Sequence, residues 1–135
     1  MKEILDIINL KNKVGLAEED ATFRKQVQWY HYLLSNGMVE LFYDNGKLIG
    51  FIEWIRLNFI PKNISEIYKE VGNDYTKGKV AFVCNAISLN KALYKLRVKA
   101  INKVKDADLI CFHRKKTGKI LCFKNVRRDY ALSLS

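Results

Sequence analysis

A chain of 135 residues has room for one core of ordinary size, so a single domain over residues 1–135 is expected. Hydrophobic residues make up 49% and there is one proline, which excludes a disordered chain, while no uncharged apolar run is long enough for a membrane span or a secretory leader. The net charge of +10 calls for an anionic partner, and a cytoplasmic location is expected.

The segment KEILDIINLKNK spaces Ile4, Leu5 and Ile8, with Val14 beyond, as one helical stripe. A second helix is expected from Glu18 to Leu34, where Phe23, Val27, Tyr30 and Leu34 recur at three and four residues and Ser35-Asn36-Gly37 supplies the stop. The period then changes to two. Met38 to Tyr43 and Lys47 to Asn58 read as strands joined by Asp44-Asn45-Gly46, where Asn-Gly tolerates the positive backbone angles of a tight hairpin. PKNISEIYKEVGNDY reads as a short inserted helix capped by Asn63 or Ser65, with Ile64, Ile67, Tyr68 and Val71 facing inward.

A strand from Lys79 to Ile87 next runs through a short turn into a helix from Asn90, a good N-cap, through Val104. Leu93, Leu96, Ala100, Ile101 and Val104 form its apolar face, while Lys95, Lys99 and Lys103 repeat every four residues on another. Two strands close the chain, Asp108 to His113 and Lys119 to Phe123, around the turn RKKTG. The first is apolar on both faces, which suits a central parallel strand reached by a right-handed crossover. The expected class is α/β or α+β: a mixed sheet with N-terminal helices, a β-hairpin and one strand-helix-strand crossover.

Between Lys91 and Arg128 thirteen Lys or Arg stand against Asp106 and Asp108, so the rest of the chain is close to neutral. Such one-sided charge points to nucleic acid, an acidic protein or a phosphorylated ligand, with a solvated face as the plain alternative. Aromatics near it are few (Tyr94, Phe112, Phe123) and no helix-turn-helix or RNA-recognition signature accompanies them, so sequence-specific readout is not expected. Cys84, Cys111 and Cys122, an odd number inside apolar strands, are expected as small core thiols rather than a disulfide framework. His31 and His113 have no partner at metal-binding spacing, so no metal is expected.

Four stretches, DNGKLIGFIEW, GNDYTKGKV, AFVCNAIS and ALYKLR, together covering roughly Gly37 to Phe123, resemble the GNAT fold of the N-acetyltransferase superfamily. The pattern is similar to its divergent toxin-activating lysine acyltransferases and to short GNAT-like proteins of bacteriophages. The resemblance implies an acyltransferase that uses acetyl-CoA or another acyl-CoA, or an acyl carrier, as donor and an amine as acceptor. The pantetheine and pyrophosphate would rest on the backbone from Ile87 to Leu93, that is Ile87, Ser88, Asn90, Lys91, Ala92 and Leu93, with Lys95 beside the anion. Free N–H groups at a helix start suit phosphate oxygens.

For catalysis the resemblance points to Glu53 as a base on the strand bordering the site; its alternation with Ile52 and Trp54 equally suits a side chain turned to solvent. His31 lies in the N-terminal region where the lysine acyltransferases carry a histidine. Their strand aspartate is replaced here by Cys84-Asn85, which leaves Asn85 as the polar group. His113, ahead of Arg114-Lys115-Lys116, is a candidate phosphate anchor, and Tyr130 a candidate general acid. One departure is plain: where ordinary members carry an Arg/Gln-x-x-Gly-x-Gly/Ala loop, this chain has SLNKAL and no glycine from Val80 to Thr117. A backbone without glycine closes less tightly on a pyrophosphate. The alternative is therefore a catalytically inactive GNAT-fold binding or structural protein, such as a phage component in host cytoplasm or virion, whose basic face contacts nucleic acid or an acidic protein.

Overall fold

A computed structural model of the chain describes residues 1–16, 22–67, 74–89, 93–114 and 117–125. The elements run α1 (Lys2–Lys13), α2 (Phe23–Ser35), β1 (Val39–Asp44), β2 (Lys47–Leu57), α3 (Ile64–Ile67), β3 (Val80–Ser88), α4 (Leu93–Lys103), β4 (Leu109–Arg114) and β5 (Lys119–Lys124). The strands are hydrogen-bonded in the order β1-β2-β3-β4-β5. β1 and β2 are antiparallel, β3 and β4 parallel, β4 and β5 antiparallel. Backbone bonds from Leu89 to Ile49 and from Arg56 to Tyr75 set β3 antiparallel to β2. The fold is thus the expected mixed α/β sheet, with N-terminal helices, a hairpin and a parallel crossover through α4. Among the described residues no helix is long and apolar enough to cross a membrane.

The residues fall into two compact units, one of Met1–Glu53 with Asn85–Ala100, the other of Trp54–Cys84 with Ile101–Ser135. In the first, α1 buries Ile4, Ile7, Ile8 and Leu10. The expected stripe is turned by a few tens of degrees, since Ile7 is inside and Leu5 is exposed. α2 begins later than the expected Glu18, which lies outside the described residues. Thr22 caps it by accepting the Lys25 amide at 3.2 Å, and Tyr30 and Leu33 rather than Phe23 carry its buried face. Its stop is the expected one, with Gly37 at φ +66°. The hairpin turn holds Asn45 at φ +50° and Gly46 at φ +75°, the pair of positive angles that matches strand twist in a two-residue loop. The Tyr43 hydroxyl donates to Asp6 of α1 at 2.8 Å.

In the second unit Asn63 caps α3 by accepting the Glu66 amide at 3.0 Å; of the inward residues expected there, Ile67 is buried, while Tyr68 and Val71 lie outside the described residues. The parallel ladder pairs Val80–Val83 of β3 with Leu109–Phe112 of β4. Arg56 of β2 gathers three distant segments: its guanidinium donates to both carboxylate oxygens of Asp106, at 2.7 and 3.1 Å, and to the carbonyls of Gly78 and Lys103. Buried Asn125 donates to the carbonyls of Val104 and Ala107, tying down the turn that follows α4. Cys111 and Cys122 face each other across the β4–β5 ladder and are disulfide-bonded. That corrects the expectation of three core thiols: the antiparallel register brings two of them opposite, and Cys84 is left outside the disulfide.

Candidate active site

Glu53, His31, Asn85, Ile87, Ser88 and Lys95 belong to the first unit. Glu53, on β2, is fully buried. Its carboxylate accepts from Trp29 Nε1 at 3.1 Å and Tyr30 Oη at 2.9 Å on α2, and from Asn85 Nδ2 at 2.6 Å on β3. From α1 comes Lys11, only 2% exposed, whose ammonium lies 5.3 Å from the centre of the Tyr30 ring. Burial pushes the Glu53 carboxyl above its ordinary pKa; the Lys11 charge and the bonds from Asn85, Trp29 and Tyr30 oppose that shift. A carboxylate is the one side chain that presents acceptors at both oxygens, so three converging donors select it over an amide.

The outward-facing reading of Glu53 is therefore corrected. β2 is buried continuously from Gly50 to Ile55, so the alternation of Ile52, Glu53 and Trp54 separates two covered faces instead of core from solvent. Tyr30 and Trp29 were missed as site residues. A lone carboxylate inside GFIEWI needs donors, and an indole and a phenol side by side on a helix are the groups that could have been sought.

The structure brings together Glu53 and the half-buried Asn85, whose second N–H and carbonyl remain, among the described residues, as one donor and one acceptor. It does not join His31 to them, for that residue is exposed on α2. His113 stands on β4 in the second unit, and Tyr130 lies outside the described residues.

At the turn after β3, Ile87 is buried and Ser88 half-buried. The Leu89 amide donates to the Ile49 carbonyl at 2.7 Å, so this one is not among the free donors expected for a phosphate. Asn90, Lys91 and Ala92 lie outside the described residues, as does the side chain of Leu93. Lys95 is exposed on α4, its ammonium 5.4 Å from the centre of the Phe42 ring, and Arg97 and Lys99 are exposed beyond it. Gly50 explains how closely these parts meet: a Cβ there would lie 2.9 Å from Leu96 Cδ1 and 3.0 Å from the Ile87 carbonyl oxygen. As for an acyl-CoA, the exposed cations of α4 fit its phosphates; the Leu89 amide does not serve them. Among the described residues no three His, Cys, Asp or Glu gather as a metal site would require.

Solved structures share this architecture. The loading GNATL domain of CurA from Lyngbya majuscula aligns with a TM-score of 0.58 at 13% identity, over 83% of this chain and 60% of that one. This chain has the GNAT fold. A second GNAT-fold match, from Clostridium acetobutylicum, is described as a predicted acetyltransferase with acetyl-CoA; it aligns with a TM-score of 0.55 at 14% identity, over 87% of this chain and 78% of that one. No family model and no curated protein matches the sequence. Identities this low carry the GNAT fold and leave activity to be argued from the site. In that fold β3 is the strand leading into the crossover, and it is this strand that presents Asn85.

Proposed function

We propose that this protein transfers an acyl group from acyl-CoA, or from an acyl carrier, to an amine, in the manner of the small divergent acyltransferases it resembles. The observation that carries the reading is Asn85, fixed by the buried Glu53 on the strand that enters a GNAT crossover. The donor supplies a thioester. In the transfer the amine nitrogen bonds to its carbonyl carbon, the carbon–sulfur bond breaks, the thiol is released and the amine gives up one proton.

The chain's own residues divide this work. Glu53, with no exposure to solvent, holds Asn85 in place and does not meet the amine. Asn85 offers its remaining N–H to the oxygen that gains charge and its carbonyl to the amine proton, which solvent takes up and returns to the leaving sulfur. Lys95, with Lys91 and the start of α4, holds the phosphates, and the positive end of the helix dipole adds to the attraction. This reading places the protein in the cytoplasm, where acyl-CoA is met.

Acetyl-CoA titrated into the protein during thermal unfolding tests the reading, together with detection of released CoA thiol in the presence of amines. A rise in Tm with acetyl-CoA that Lys95→Glu removes, and transfer that Asn85→Ala abolishes without removing that rise, would support it. No stabilisation at millimolar CoA overturns it.

A further inference from the structure

We propose that one face of the β4–β5 hairpin binds single-stranded nucleic acid, stacking bases on Phe112 and Phe123 and holding the backbone with Arg114 and Lys119. The register fixes that face. Ile110 stands opposite Phe123, Phe112 opposite Leu121 and Arg114 opposite Lys119. Alternate residues along a strand share a face, so these six lie together, while Cys111 and Cys122 turn to the other side.

On this face Phe112 and Phe123 are diagonal neighbours, 36% and 55% exposed, with ring centres 5.7 Å apart and planes within 15°. Two large apolar rings held flat against each other in water form a platform for a third flat ring. Arg114 is two residues beyond Phe112, about 7 Å along the strand. Lys119 faces it, so two exposed cations mark one end of the platform. From residue 109 to residue 128 the sequence carries seven Lys or Arg and no Asp or Glu.

That combination selects the occupant. A second copy of the chain would oppose one positive surface to another. An acidic peptide supplies charge but leaves the rings without a flat partner. In a duplex the base faces are hidden by stacking, whereas a single strand offers both phosphates and open π faces. The platform lies in the second unit and the acyl-transfer candidates in the first, so the two readings stand or fall separately.

Fluorescence anisotropy of the full chain with a fluorescein-labelled oligothymidylate of about 12 nucleotides measures this binding. Two phosphates neutralised by Arg114 and Lys119 give at least about sevenfold weaker binding at roughly 200 mM salt than at roughly 50 mM. Phe112→Leu with Phe123→Leu keeps the apolar surface and removes the π faces; it is expected to weaken binding by about 5- to 150-fold per lost base contact, with the melting curve checking the fold. Arg114→Gln with Lys119→Gln flattens the salt dependence and provides a second variant should the leucine pair fail to fold. No binding at the lower salt, full retention by the leucine pair, or equal affinity for a duplex or a polyglutamate peptide overturns the proposal. So does a dimer in light scattering that the leucine pair dissolves, which would assign the face to a second copy.

Discussion

Replacing Glu53 by alanine probes the buried polar cluster most directly. The truncation removes the acceptor shared by Trp29, Tyr30 and Asn85 and takes away a negative charge near Lys11. A buried donor left unsatisfied costs about 1–3 kcal/mol. Because Trp29 and Asn85 are half-buried and can recruit water, we take the low end for each donor and add the loss of packing, for about 3–5 kcal/mol in all. At this chain length that corresponds to a fall in Tm of roughly 10–20 °C. Glu53→Gln behaves differently. The Trp29 indole only donates, so the new amide must keep its oxygen there and turn its nitrogen to Tyr30 and Asn85, both of which can reorient to accept; the cost is about 1 kcal/mol. Urea unfolding followed by circular dichroism reads both values. The folded Glu53 carboxyl is held above its ordinary 4.5, so the proton-linked stability is complete below that pH and is lost as pH rises through the raised value; Glu53→Gln flattens this loss. An alanine variant within about 1 kcal/mol of the parent, or alanine and glutamine variants of equal stability, refutes the reasoning.

Other outcomes follow from the packing. Arg56→Lys cannot reproduce a fork that bonds both oxygens of Asp106 and two carbonyls, so the urea midpoint should fall by the equivalent of about 1–2 kcal/mol. The Asp106 carboxyl is held below its ordinary 3.8, first by the hydrogen bond from Arg56, so its contribution is full above that pH and lost as pH falls through the lowered value; Asp106→Asn should remove this part of the acid limb in a pH titration of stability. Gly50→Ala must push apart Leu96 and the Ile87 carbonyl, costing about 1–3 kcal/mol in a thermal melt; a neutral result would mean that α4 does not pack there. Denatured without reductant, the chain should show a single reactive thiol, Cys84, and reduction should cost about 3 kcal/mol for a loop closed over 11 residues.

Much of the fold is legible where a local rule decides the backbone. Asn45-Gly46 marks the hairpin because few other pairs accept two positive φ angles, and Asn63 marks the start of α3 because its side chain replaces a missing helical acceptor. The apolar strand Leu109–Cys111 implies a central position, which it has between β3 and β5. Local rules fail where a partner distant in sequence decides. Glu53 finds its donors 24, 23 and 32 residues away, and nothing in FIEWI reveals that both strand faces are covered. Cys111 and Cys122 become neighbours only once the turn length has fixed which residues stand opposite. The resemblance located the crossover, but a gap in glycine pattern could not show that Leu89 would spend its amide on Ile49.

The fork at Arg56 has a bearing on kinetics. Its partners lie 22, 47 and 50 residues along the chain, so all the intervening loops must close before the guanidinium reaches them. A contact of that range rewards the chain only after its loop-closure entropy has been met, so this fork is expected to be weak in the folding transition state. Weakening it would leave the refolding rate nearly untouched and hasten unfolding, making this arginine a brake on escape from the native state more than a guide into it.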